Sequence, residues 1–184
     1  MIFVLDSSAL IAIRRMSISD KLQKQCFDRL VLLKAQLRFP PQVTAELKQD
    51  NEALNKQRHD RASAFVRATK PTCEQSANLV TVAALLANPF VSRVADPNTE
   101  KDEADMYILA LAKDLHATDR DVRVITQERR DSKLKLSMHS ACAALGLIAM
   151  QMPAFLLWQG ILSEDQINNW DANAAAPAPT LPKR

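Results

Sequence analysis

Apolar positions along the chain fall into short unbroken runs and longer interrupted ones, and the two predict different elements. IFVL (2–5) is a continuous β-branched and aromatic run, the pattern of a strand buried on both faces. VRVIT (122–126) is a second such run, LIAM (147–150) a third, and Leu37–Phe39 a shorter one. Between them the spacing changes to that of helices. Ser7 or Ser8 caps a helix through Ala9–Ile13, and Leu22, Cys26, Leu30, Leu33 and Leu37 recur every three or four residues. Pro40-Pro41 opens a polar helix over about 42–68, Pro71 breaks it, and another helix covers about 73–87. The stretch Asn88–Thr99, with Pro89, Asp96, Pro97 and Asn98, is predicted as a loop. Helix returns at about 101–116 (KDEADMYILALAKDLH) and near 138–145, after the polar loop QERRDSKLK. Phe155, Leu156, Leu157 and Trp158 after Pro153 predict a core or interface helix.

The order strand–helix–helix–strand–helices–strand–helix–strand predicts an α/β fold, a three-layer α/β/α sandwich with a mainly parallel central sheet. One domain over 1–160 is expected, followed by a C-terminal helix and a disordered Ala/Pro-rich tail over 161–184.

Composition narrows the chemistry. The longest apolar runs fall far short of the ~18 residues of a membrane span, and no secretory signal is read at the N-terminus, so a cytoplasmic protein without a membrane partner is expected. Cys26, Cys73 and Cys142 are odd in number and widely spaced, which argues for reduced thiols and against a disulfide framework or structural zinc. Gly146 and Gly160 are the only glycines and neither belongs to a phosphate-binding loop motif, which disfavours dinucleotide and P-loop sites. A net charge of +3 is compatible with a polyanion partner.

Four acids occupy comparable places on this map. Asp6 follows the first strand, Glu46 lies about a turn into the helix after RFPP, Asp105 heads the ILALA helix, and Glu128 comes two residues after VRVIT. In an open parallel sheet these positions converge at the carboxyl edge of the strands. Carboxylates brought that close repel unless cations lie between them or some take up protons. Hard divalent ions, Mg²⁺ or Mn²⁺, suit such an all-oxygen set, and one or two of them promote phosphodiester hydrolysis without histidine, cysteine or a glycine loop.

The ordered set V-L-D-S-S-A-L, P-x-x-x-x-E, D-M-Y-I-L-A-L-A and V-I-T-Q-E resembles the PIN-domain ribonucleases, many of which are toxins of VapBC-type toxin–antitoxin pairs. The resemblance spans about residues 1–150. It implies a Mg²⁺- or Mn²⁺-dependent endoribonuclease, with the family's acids on Asp6, Glu46, Asp105 and Glu128 and its hydroxyl on Ser7 or Ser8. It further implies RNA as substrate, a cognate antitoxin as partner, and a homodimer.

Plainer readings stand beside these. Asp6 is by itself a good helix cap, and Glu46 a solvated residue of a polar helix. Asp102 shares a helical face with Asp105 or merely begins the helix, and Asp131 competes with Glu128 as fourth acid. Ser8 caps or orders the site, and Thr126 ends a strand or positions a ligand. Arg14, Arg15, Arg129, Arg130, Lys133 and Lys135 suit RNA phosphates or form solvated basic segments. A non-catalytic PIN-like module binding RNA or protein is the alternative function. An aspartyl phosphatase of the haloacid-dehalogenase type fits poorly, because its D-x-D motif needs an acid where Ser8 stands.

Overall fold

The computed structural model describes residues 1–15, 19–53, 60–95, 104–118, 121–128, 130–132 and 135–167. Its centre is a sheet of β1 (Ile2–Leu5), β2 (Leu37–Arg38), β3 (Val122–Ile125) and β4 (Ile148–Met150), in the order β2-β1-β3-β4. All three pairings are parallel, with Phe3 opposite Leu37, Leu5 opposite Ile125, and Ile125 opposite Met150. Phe3, Val4, Leu5, Val124 and Ile125 have no solvent exposure, which is why their segments read as unbroken apolar runs.

Among the described residues, the helices α1 (Ser7–Arg15), α2 (Asp20–Leu32), α3 (Pro41–Ala53), α4 (Arg61–Cys73), α5 (Leu79–Leu86), α6 (Ala104–Thr118), α7 (Met138–Ala144) and α8 (Met152–Trp158) connect and flank the strands. The connection from β1 to β2 runs one way along the sheet and that from β3 to β4 the other. Right-handed crossovers then place their helices on opposite faces, giving the α/β/α sandwich. Phe3 packs its ring 4.8 Å from that of Phe155 and 5.7 Å from that of Trp158, fixing α8 against the sheet. Both glycines end helices in the left-handed region. Gly146 (φ 70°) follows α7 and Gly160 (φ 63°) follows α8, and the next amides turn back to Cys142 O (2.9 Å) and Leu156 O (2.8 Å). Among the described residues no helix is long and apolar enough to cross a membrane.

Several boundaries differ from expectation, each for a local reason. Of the caps expected for α1, Asp6 and not Ser7 or Ser8 takes the position, its carboxylate accepting from Ser8 N (3.3 Å). The polar helix of 42–68 is two helices: α4 starts afresh where Asp60 accepts from Ala62 N (3.2 Å) and Ser63 N (2.9 Å). Pro71 does not break α4 but lies in its last turn, where few further intrahelical bonds depend on it, and the helix continues to Cys73. The next helix begins at Leu79 rather than 73. Phe39 N bonds Cys73 O and Gln75 N bonds Phe39 O, both at 3.0 Å, so the chain first extends alongside the end of β2. In the expected loop, Val91–Val94 form a 3₁₀ turn because two valines bury there, with Asn88 Oδ1 accepting from Phe90 N and Val91 N. Residues 96–103 and the tail 168–184 lie outside the described residues.

Candidate functional site

The strand order reverses direction between β1 and β3, since the chain leaves β1 for β2 on one side and later places β3 on the other. A crevice at the carboxyl ends of two such strands is where parallel α/β sheets present side chains to a ligand. The register, Leu5 opposite Ile125, makes Asp6 and Thr126 the first residues past each strand end. Asp6 N still bonds Ile125 O (2.9 Å) and Thr126 N bonds Met150 O (3.0 Å), so both backbones remain fixed to the sheet.

Asp6 is 2% exposed, and its two oxygens are held unequally. Thr126 Oγ1 donates to Oδ2 at 2.6 Å, and Ser8 Oγ donates to the same oxygen. These hydroxyls are themselves oriented, because Ser8 Oγ accepts from Gln127 N (3.0 Å) and Thr126 Oγ1 from Glu128 N (3.2 Å). Each relay of amide to hydroxyl to carboxylate strengthens its final bond by polarisation. The other oxygen, Oδ1, has only longer contacts, from Ser7 Oγ (3.2 Å) and Ser8 N (3.3 Å). Its charge reaches α7, where the Cys142 thiol is pushed up to about 12 by burial, with Asp6 adding to the effect.

Glu46 joins this group from α3. Ser7 Oγ donates to its Oε2 as well as facing Asp6, so one hydroxyl lies between two carboxylates. Glu46 Oε1 accepts from Ala104 N (2.9 Å), taking up a free amide at the start of α6. Glu46 thereby holds the helix start that carries Asp105.

Asp105, in the first turn of α6, is 7% exposed and surrounded differently. Burial raises its pKa well above the usual carboxylate range, and the negative charges of Asp6 and Glu128 raise it further. The opposing influence is Lys135, whose Nζ stands 3.0 Å from Asp105 Oδ2 and 3.5 Å from Glu128 Oε1. Glu128 is the acid from the β3 loop that shares this charge environment, and His139 Nδ1 fixes its backbone through Glu128 O at 2.7 Å.

Asp131, the competing fourth acid, is engaged elsewhere. It accepts from Ser137 N (2.8 Å) and Ser140 Oγ (3.1 Å) at the start of α7, and those bonds hold its carboxyl below the usual range. Arg14 lies near the far end of α1, its guanidinium 3.8 Å from Asp60, and Arg130 is exposed two residues past Glu128. Asp102, Arg129 and Lys133 lie outside the described residues, as does the side chain of Arg15. Sequence reasoning missed the place of Lys135 between two acids, since nothing in a polar loop indicates which lysine folds inward. It also missed the contact of His139, which carries no spacing signal.

Among the described residues no three His, Cys, Asp or Glu side chains form a ready ion cage. The donors that do converge are hard oxygens, and a cation already stands between Asp105 and Glu128 in the form of the Lys135 ammonium. That donor chemistry fits Mg²⁺ or Mn²⁺.

Comparison with curated proteins and with solved structures gave no match. A family model described as a domain of unknown function, DUF4411, matches residues 3–161, which include the whole site from Asp6 to Lys135, and the chain belongs to that family.

Proposed function

We propose that the protein is a divalent-metal-dependent endoribonuclease of the PIN type. The observation that carries this reading is Asp105: a buried acid, beside two further acids at the β1/β3 switch point, with Lys135 as its opposing positive charge. An arrangement so rich in negative charge favours added cations over any neutral ligand. Asp6, through Oδ1, and Asp105 would be the principal ion ligands, with Glu128 at the rim. Glu46 would act by orienting Ser7 and the start of α6. A bound Mg²⁺ or Mn²⁺ would supply Lewis-acid polarisation of the scissile phosphate and an acidified attacking water. Ser8 and Thr126 keep Asp6 in place throughout, and Arg130 supplies positive charge for the RNA backbone. This reading includes the cytosol as compartment, supported by the free, buried Cys26, Cys73 and Cys142, and extends by resemblance to a cognate antitoxin and a homodimer.

Incubation with RNA and Mn²⁺ should yield fragments ending in 3′-hydroxyl and 5′-phosphate, and EDTA should stop the reaction. The double variant Asp6→Asn/Asp105→Asn, folded by circular dichroism, should be inactive; a folded, active one overturns the assignment. RNA binding that survives EDTA, with no cleavage in Mn²⁺, would identify a non-catalytic binding module instead.

A further inference from the structure

We propose that Lys135 is the resident counter-cation of the site: its ammonium holds the place between Asp105 and Glu128 that a divalent ion takes, and ion binding displaces it toward solvent. The inference rests on the metal-site reading above.

Geometry supports an exchange rather than a fixed ion pair. The Lys135 backbone is pinned, its N donating to Ser132 Oγ (2.9 Å) and its O accepting from Ser132 N (2.8 Å). The next residue, Leu136, is buried and its N bonds Arg93 O (2.8 Å). The Lys135 backbone can therefore stay in place while the flexible four-carbon side chain swings. An exit exists as well. The Asp105 side chain is 10% exposed, whereas those of Lys135 and Glu128 are 31% and 36% exposed, so the ammonium stands toward the open side of the buried acid. The Lys135 ammonium faces Asp105 and Glu128, and Asp6 adds its negative charge at Asp105. A divalent ion brings twice that charge to the same oxygens and leaves the lysine at the rim. In the absence of an ion, Lys135 relieves the repulsion among the acids and lets the site remain assembled.

The test is Mn²⁺ binding without RNA, followed by calorimetry and by the electron paramagnetic resonance of free Mn²⁺. Lys135→Met removes the competing charge and should bind Mn²⁺ roughly tenfold more tightly, equivalent to about 1.4 kcal/mol. Its metal-free form should melt below the parent and regain stability when Mn²⁺ is added. Lys135→Gln provides the same comparison if the methionine variant folds poorly, and Lys135→Arg, which keeps the charge, should stay near the parent affinity. Unchanged or weaker binding by Lys135→Met and Lys135→Gln, with the parent binding Mn²⁺, overturns the displacement while leaving the ion site intact. Equal tightening by Lys135→Arg also overturns it, because charge would not be the cause. If neither parent nor variants bind Mn²⁺, the ion site and this inference fall together.

Discussion

Asp6 and Asp105 are both buried acids at one end of the sheet, yet they are stabilised by different means. Asp6 is surrounded by hydroxyl and amide donors, each held by the strand ends or by α1. Asp105 faces acids, with a lysine ammonium as the opposing charge. Hydrogen-bond donors satisfy a buried carboxylate locally and fix its position. At Asp105 burial and the neighbouring acids outweigh Lys135 and leave the ionised form disfavoured. On the proposed reading, the first arrangement would supply a rigid ion ligand and the second a demand for positive charge.

The contrast can be broken by measuring metal-free stability and Mn²⁺ affinity together. The largest effect is expected for Asp6→Asn, which puts an amide where two hydroxyls donate and should cost about 2 kcal/mol in urea unfolding as well as activity. Undiminished stability would show that the donors around Asp6 are incidental. Thr126→Val keeps the shape but removes one relay. It should cost about 1 kcal/mol and weaken Mn²⁺ binding by about 10-fold or more, as loss of a ligand-orienting partner does. Asp105→Asn should behave in the opposite sense: cleavage and Mn²⁺ binding are lost while the metal-free protein melts higher than the parent. A lower melting temperature would mean that its ion pair with Lys135 outweighs its burial.

The same residue sets a pH dependence. Because the Asp105 pKa is higher in the folded chain than in the unfolded one, the native state retains a proton that the unfolded state has lost between those two values. Metal-free stability therefore falls as pH rises through that window, and Asp105→Asn should flatten this slope. Mn²⁺ binding needs the ionised form, so its affinity should fall as pH drops through the same window. The smallest effect is expected for Asp131→Asn. Its pKa is lowered by bonds at the start of α7, so its contribution is present above the unfolded value and lost as pH falls through the folded one. A slight drop in melting temperature with unchanged Mn²⁺ affinity should result. A large change in affinity would return Asp131 to the site.

Legibility in the sequence followed the range of the forces involved. IFVL and VRVIT announced themselves because a strand buried on both faces requires continuous apolar residues. Pro71 misled because its effect on a helix depends on how much helix remains beyond it, and only Cys73 and its turn followed. The start of α5 was misplaced because the bonds of Phe39 with Cys73 and Gln75 join segments more than thirty residues apart.

The sequence by itself determined the α/β class, the parallel sheet and the positions of Asp6 and Asp105 relative to their elements, since each follows from local periodicity and from what ends a strand or starts a helix. Only the tertiary structure gave the remaining acids their places and partners. It placed Glu128 in the electrostatic field of Asp105, turned Asp131 to α7, gave Glu46 the start of α6, and brought Lys135 between two carboxylates. Those assignments depend on side-chain reach across loops and on charge interactions through space, which spacing along a chain does not encode.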